Sequence, residues 1–142
     1  GYFDYSTPGA YFITFCTHNR KNTLSHIVGA IHESPEPQLN VCGKIVDAVI
    51  QNIPSHLHVT IDRYVIMPNH IHFIVEIDGS SGTPTPTNAR IPVIVSTFKR
   101  MTNKKFGFKI WQRGYNDHII RNDEDYLRAA EYIINNPYGK IW

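Results

Sequence analysis

Two runs of strand-forming residues, Val59 to Met67 and His70 to Ile77, are separated only by Pro68-Asn69. A break that short joins two strands as neighbours running in opposite directions, so an antiparallel pair is fixed at the middle of the chain. Within the second run the side chains alternate: His70 and His72 project to one side, and Ile71, Phe73, Val75 and Ile77 to the other. Whatever covers the apolar side leaves the two imidazoles together on the opposite one.

The rest of the chain organises around this pair. Tyr11-Phe12-Ile13-Thr14-Phe15-Cys16-Thr17, following Pro8-Gly9, reads as a first strand. Residues 19–38, with Pro35 and Pro37, read as a loop carrying a short hairpin around Leu24 to His32. From a capping Asn40, Val41, Ile45, Val46, Val49, Ile50 and Ile53 recur at helical spacing, and Pro54 is expected to stop that helix. The Gly, Ser, Thr, Pro and Asn-rich stretch from Asp78 to Ala89 is expected to be a mobile linker. Ile91, Val95, Phe98 and Met101 mark a second helix ending near Phe106-Gly107, with Lys99, Arg100, Lys104 and Lys105 on its wet side. Asn116 to Arg121 reads as a fourth strand, and Asn122-Asp123-Glu124-Asp125 caps a last helix running to about Asn135, before Pro137. Strand, helix, strand, strand, helix, strand, helix is an α+β order: a ferredoxin-like split βαβ unit with helices against one face of an antiparallel sheet and an added C-terminal helix. At 142 residues, 1–142 is expected to be a single domain.

Charge narrows the partner. Residues 90–121 hold eight basic side chains (Arg90, Lys99, Arg100, Lys104, Lys105, Lys109, Arg113, Arg121) against Asp117 alone, a local +7 in a chain whose total is +2. The remainder therefore carries −5, and such asymmetry suggests a polyanion site. No stretch has the apolar length of a membrane span, and no secretion signal opens the sequence, so a cytoplasmic protein is expected. Cys16 and Cys42 sit at no metal-ligand spacing and read as ordinary buried thiols.

A lone His-x-His is more often a pair of ordinary strand histidines than a metal site. The last helix changes the balance, because Tyr132 and Asn136 are four residues apart and share a face. Asn136 Oδ1 would complete a two-imidazole, one-amide set with open positions, suited to Mg²⁺ or Mn²⁺, and mixed nitrogen and oxygen ligation favours Mn²⁺. Taken singly, Tyr132 reads as an apolar contact of an amphipathic helix and Asn136 as its C-cap.

The segment Tyr64-Val65-Ile66-Met67-Pro68-Asn69-His70-Ile71-His72-Phe73-Ile74-Val75 resembles the metal-binding strand of HUH-type single-tyrosine transposases, the IS200-like family. Trp111-Gln112-Arg113-Gly114-Tyr115-Asn116-Asp117-His118-Ile119-Ile120-Arg121 and Glu131-Tyr132-Ile133-Ile134-Asn135-Asn136-Pro137 are similar to that family's second half, particularly its REP-associated branch. The resemblance spans roughly residues 9–138. It implies His70 and His72 as metal ligands, Tyr132 as the nucleophile that becomes joined to a DNA 5′-phosphate, and a third ligand one turn further on. Many relatives carry glutamine there; this chain has the shorter Asn136, with His118 as the alternative ligand. It further implies a homodimer acting on single-stranded DNA whose ends fold into hairpins. A phenol of ordinary pKa near 10 needs help at neutral pH, which a divalent ion beside the scissile phosphate supplies. Lys99, Arg100, Lys104, Lys105, Lys109 and Arg113 suit phosphate contacts, and Trp111 and Tyr115 suit stacking on unpaired bases. Two other readings stay open: a DNA-hairpin binding protein without cleavage activity, and an unrelated metal-dependent hydrolase using water.

Overall fold

The structure, a computed structural model, describes residues 9–28, 36–77 and 90–135. Its elements are β1 (Ala10–Cys16), β2 (Ser25–Val28), β3 (Glu36–Leu39), α1 (Val41–Leu57), β4 (Thr60–Ile66), β5 (His70–Glu76), α2 (Ile91–Phe106), β6 (Asn116–Ile120) and α3 (Asp123–Asn135). Four strands form one antiparallel sheet in the order β4-β5-β1-β6, the order expected of the split βαβ unit. The expected linker from Asp78 to Ala89 lies outside the described residues.

Pairing fixes which side chains share a face. Thr14 lies opposite His72, Phe12 opposite Ile74 and Cys16 opposite His70, while Ile13 faces Phe73 and Phe15 faces Ile71. The second set joins the larger core, in which Tyr11, Ile13, Phe15, Ile71, Phe73 and Val75 pack against Val46, Ile50 and Ile53 of α1 and Ile94 and Phe98 of α2. The first set lies beneath α3, where Ala10, Phe12, Ile74 and Ile120 meet Ala129 and Ile133. Coverage from both sides explains why all seven residues of β1 are buried and why its sequence lacks polar alternation.

Two boundaries differ from those the sequence suggests. The hairpin pairs Ser25–Val28 with Glu36–Leu39, so it lies wider than Leu24 to His32 and places Pro37 in a two-stranded ribbon opposite Ile27. Pro54 does not end α1, which runs on to Leu57 and closes at His58 in left-handed geometry (φ 56°). Burial of Ile53 and satisfied carbonyls at the helix end outweigh the proline: His58 N–H donates to Pro54 O, and Arg90 Nη2 donates to Leu57 O at 2.6 Å. Arg90 is thereby assigned to the fold and not to a polyanion.

Gly43 permits the close seat of α1 on the turn before β2. A Cβ there would lie 2.1 Å from Leu24 O, a carbonyl already accepting from Asn40 N–H at 2.9 Å. Gly43→Ala is therefore expected to destabilise, because overpacking costs about 1–3 kcal/mol and exceeds the helix-propensity gain of up to about 1 kcal/mol. Thermal unfolding should show a melting temperature lower by several degrees; an unchanged or raised value would contradict the close approach.

Candidate functional site

The tight link Met67-Pro68-Asn69 sets the first imidazole. Met67 N–H donates to His70 O at 2.8 Å, Thr17 N–H to Asn69 O at 2.9 Å and Leu24 N–H to Pro68 O at 3.0 Å, so the turn is held from three sides. Asn69 Oδ1 then accepts from His70 Nδ1 at 2.7 Å. His72 is oriented from the neighbouring strand, with Nδ1 2.7 Å from Thr14 Oγ1. When Nδ1 carries the hydrogen, the lone pair remains on Nε2, the arrangement in which a second hydrogen bond orients a metal-binding histidine.

The rings of His70 and His72 lie 4.8 Å apart, and both residues are buried. His72 Nε2 is buried without a hydrogen-bond partner, an uncommon state for a polar atom that marks a place where a partner belongs. Burial, and secondarily the neighbouring His70, lowers the His72 pKa to about 3, so the imidazole is neutral at physiological pH and offers a lone pair. Phe12 stacks on His72 at 5.2 Å. Tyr132 completes the cluster from α3, its ring 5.2 Å from His72 and 5.9 Å from Phe12, both edge-on. Burial raises the Tyr132 phenol above its ordinary pKa, so at neutral pH it stays protonated until something assists it.

His70, His72 and Tyr132 are thus brought together within one chain. Asn136 lies outside the described residues. Among the described residues, no group of three or more His, Cys, Asp and Glu side chains converges, so His118 does not join the pair. It shares their sheet face but stands on β6, with β1 intervening, and faces a cavity of about 190 Å³ lined also by Phe12, Arg121 and Arg128. His70 and His72 fit a metal ion by donor chemistry and by the unsatisfied Nε2.

The basic residues do not surround this cluster. Helix α2 packs on the other face of the sheet, and its outer side forms a broad groove lined by Arg100, Lys104 and Lys109. Lys105 and Arg113 are exposed. Lys99 lines the same groove, where its ammonium donates to Gly114 O at 2.7 Å and Gln112 O at 3.2 Å and lies 5.6 Å from the Phe15 ring centre, and burial lowers its pKa. Trp111 is not available for stacking. It is buried between Phe15 and Phe98 and donates Nε1–H to Thr102 Oγ1 at 2.8 Å. Tyr115 is half-buried against Phe15. The exposed aromatic in the groove is Phe108, which the sequence reading passed over; its signal was its place between Gly107 and Lys109. Thr14 and Asn69 were also missed as orienting residues, although Thr14 stands out as a hydroxyl inside an aromatic strand.

The described helices include none long and apolar enough to cross a membrane. No family model matches the sequence. A Haemophilus influenzae protein of undescribed function is 36% identical over 157 residues, covering 96% of this chain and 84% of its own length. A second protein of that organism, assigned as a REP-associated tyrosine transposase, is 24% identical over 142 residues, covering 94% and 73%. Among solved structures, a REP-associated tyrosine transposase bound to a REP hairpin superposes with a TM-score of 0.68 at 20% identity, covering 99% of this chain and 75% of that one. A protein assigned as a transposase from Deinococcus radiodurans gives 0.58 at 12% identity, covering 95% and 93%. Fold and site together define a class, an antiparallel ferredoxin-like domain in which a His-x-His strand meets a tyrosine-bearing helix. In sequence and fold the chain is similar to REP-associated tyrosine transposases, which supports an IS200-like, HUH-type transposase.

Proposed function

We propose that this protein is a metal-dependent transposase that cuts and rejoins single-stranded DNA through a phosphotyrosine bond. The observation that carries the reading is the convergence of His70, His72 and Tyr132 on one face of the sheet, with ring separations of 4.8 and 5.2 Å. His70 and His72 would hold a divalent ion, Mg²⁺ or Mn²⁺, with Asn136 as the third ligand expected from the sequence. Such an ion, when bound, neutralises charge developing on the scissile phosphate. Tyr132 Oη loses its proton and bonds to phosphorus, the bond from phosphorus to the 3′ oxygen breaks, and that oxygen leaves as a 3′-hydroxyl. Because the phosphotyrosine keeps the bond energy, another 3′-hydroxyl can reverse the step on a new strand and free the tyrosine. Phe12 covers one side of His72 and excludes water from it.

DNA hairpins are the proposed partner, and the groove on α2 is the proposed surface for them. Arg100, Lys104 and Lys109 would meet phosphates, and Phe108 would stack on an unpaired base. This places hairpin capture across the sheet from cleavage, and a homodimer would bring both faces to one substrate. Phe108→Ala is expected to weaken hairpin binding roughly 5- to 100-fold at constant salt, whereas Lys104→Ala should lower the salt slope by about one. Fluorescence anisotropy across a salt series measures both, and binding unaltered in either variant would remove the groove from the interface.

The central test is incubation of the protein with a single-stranded oligonucleotide and Mn²⁺ or Mg²⁺, followed by denaturing electrophoresis. A protein–DNA species resistant to denaturation is expected, and its absence with both ions refutes the enzymatic reading.

A further inference from the structure

Helix α3 sits on a modest apolar footing, with Ala129 and Ile133 as its buried contacts on Phe12, Ile74 and Ile120. It enters directly from β6, at one edge of the sheet. At the other edge, β4 departs from regular pairing. Ile61 lies opposite Val75 and Arg63 opposite Ile74, so Asp62 is one residue too many and forms a bulge. A bulge re-aims side chains that regular alternation would send to opposite faces. Asp62 and Arg63 consequently reach the same phenol on α3. Tyr126 Oη donates to Asp62 Oδ2 and accepts from Arg63 Nε at 3.3 Å, while Asp62 and Arg63 lie 3.9 Å apart.

Asp62 and Arg63 are exposed and Tyr126 is half-buried, so core packing alone does not account for their meeting. Burial together with the bond to Asp62 raises the Tyr126 phenol, which therefore remains a donor at neutral pH. Tyr126 and Tyr132 are on one rigid helix, six residues apart. Whatever fixes the first fixes where the second meets His72.

Resting on the transposase reading above, we propose that Tyr126, Asp62 and Arg63 are positioning residues: the bulge in β4 presents a carboxylate and a guanidinium that clamp the Tyr126 hydroxyl and seat α3 so that Tyr132 faces His72. The clamp lies on the edge strand, away from the α2 groove, so it acts on the cleavage step and not on hairpin capture.

The test uses the full chain with Tyr126→Phe, Asp62→Ala and the double variant. Tyr126→Phe keeps the ring and its packing and deletes only the hydroxyl. Three quantities are measured: amide exchange along α3, the single-turnover rate of covalent adduct formation with saturating oligonucleotide, and hairpin affinity. Exchange in α3 is expected to quicken roughly tenfold, with adduct formation slowed by a similar factor and hairpin affinity unchanged. The double variant should resemble either single one, because all three remove the same contact. Unchanged exchange in Tyr126→Phe overturns the clamp. Faster exchange with an unchanged adduct rate overturns its role in positioning Tyr132. If the wild-type protein forms no adduct, the enzymatic reading fails and positioning for cleavage fails with it, while the exchange data separately decide whether the clamp holds α3.

Discussion

Tyr132→Phe is expected to abolish the covalent protein–DNA species and to slow strand cleavage by at least about three orders of magnitude, since a nucleophile has been deleted and no other group replaces it. The substitution removes one oxygen and leaves the ring that packs edge-on against His72 and Phe12. Folding and hairpin affinity should therefore stay close to wild type, which separates lost chemistry from lost structure. The measurement is quantitative adduct formation beside anisotropy on the same preparations. A hydrolase that used the two histidines with water would continue to cut in Tyr132→Phe, and persistent cleavage would transfer the protein to that class. A hairpin-binding protein without cleavage activity would show no adduct even in the wild type. A pH series adds a second check: with the phenol held above its ordinary pKa by burial, adduct formation should rise with pH through the neutral range, because the ionised fraction grows.

Much of this arrangement was legible before any coordinates because it rests on local rules. Alternation put His70 and His72 on one side of a strand, and the pairs Thr14–His72 and Cys16–His70 confirm that side. Helix spacing and the Asn122 cap located α3, and Asp125 N–H indeed donates to Asn122 Oδ1 at 2.8 Å. What escaped was set by tertiary contacts. Pro54 reads as a stop until Arg90, far along the chain, is seen to satisfy the carbonyl of Leu57. Trp111 reads as a base platform because sequence records its chemistry but not its direction; it is buried and its indole is tied to Thr102. The run of positive charge likewise gave no hint that α2 covers the sheet face opposite the histidines. Asp62 could not be singled out either, since a one-residue bulge leaves no mark in an otherwise regular strand pattern.

The second large effect concerns the metal. Isothermal titration of the purified protein with Mn²⁺ is expected to show binding that disappears in His70→Ala and His72→Ala, and chelator treatment of the wild type should remove adduct formation until the ion is restored. Each histidine supplies one of the two nitrogens of the proposed ligand set, so losing either leaves a set too small to hold a hard divalent ion against water. His72→Ala also opens a void beneath Phe12 and strands the Thr14 hydroxyl, costing about 2–5 kcal/mol of stability, so a subtler variant is needed to isolate ligand geometry. Thr14→Val serves: it keeps the shape of the strand, deletes the hydroxyl 2.7 Å from His72 Nδ1 and leaves both imidazoles in place. Outer partners of metal-bound histidines are worth about 10- to 100-fold in affinity, and a weakening of that size is expected. Affinity in Thr14→Val equal to wild type would mean that the bond from Thr14 merely fills a buried valence. Binding that survives His72→Ala would place the ion elsewhere and leave the unsatisfied Nε2 without the role given to it here.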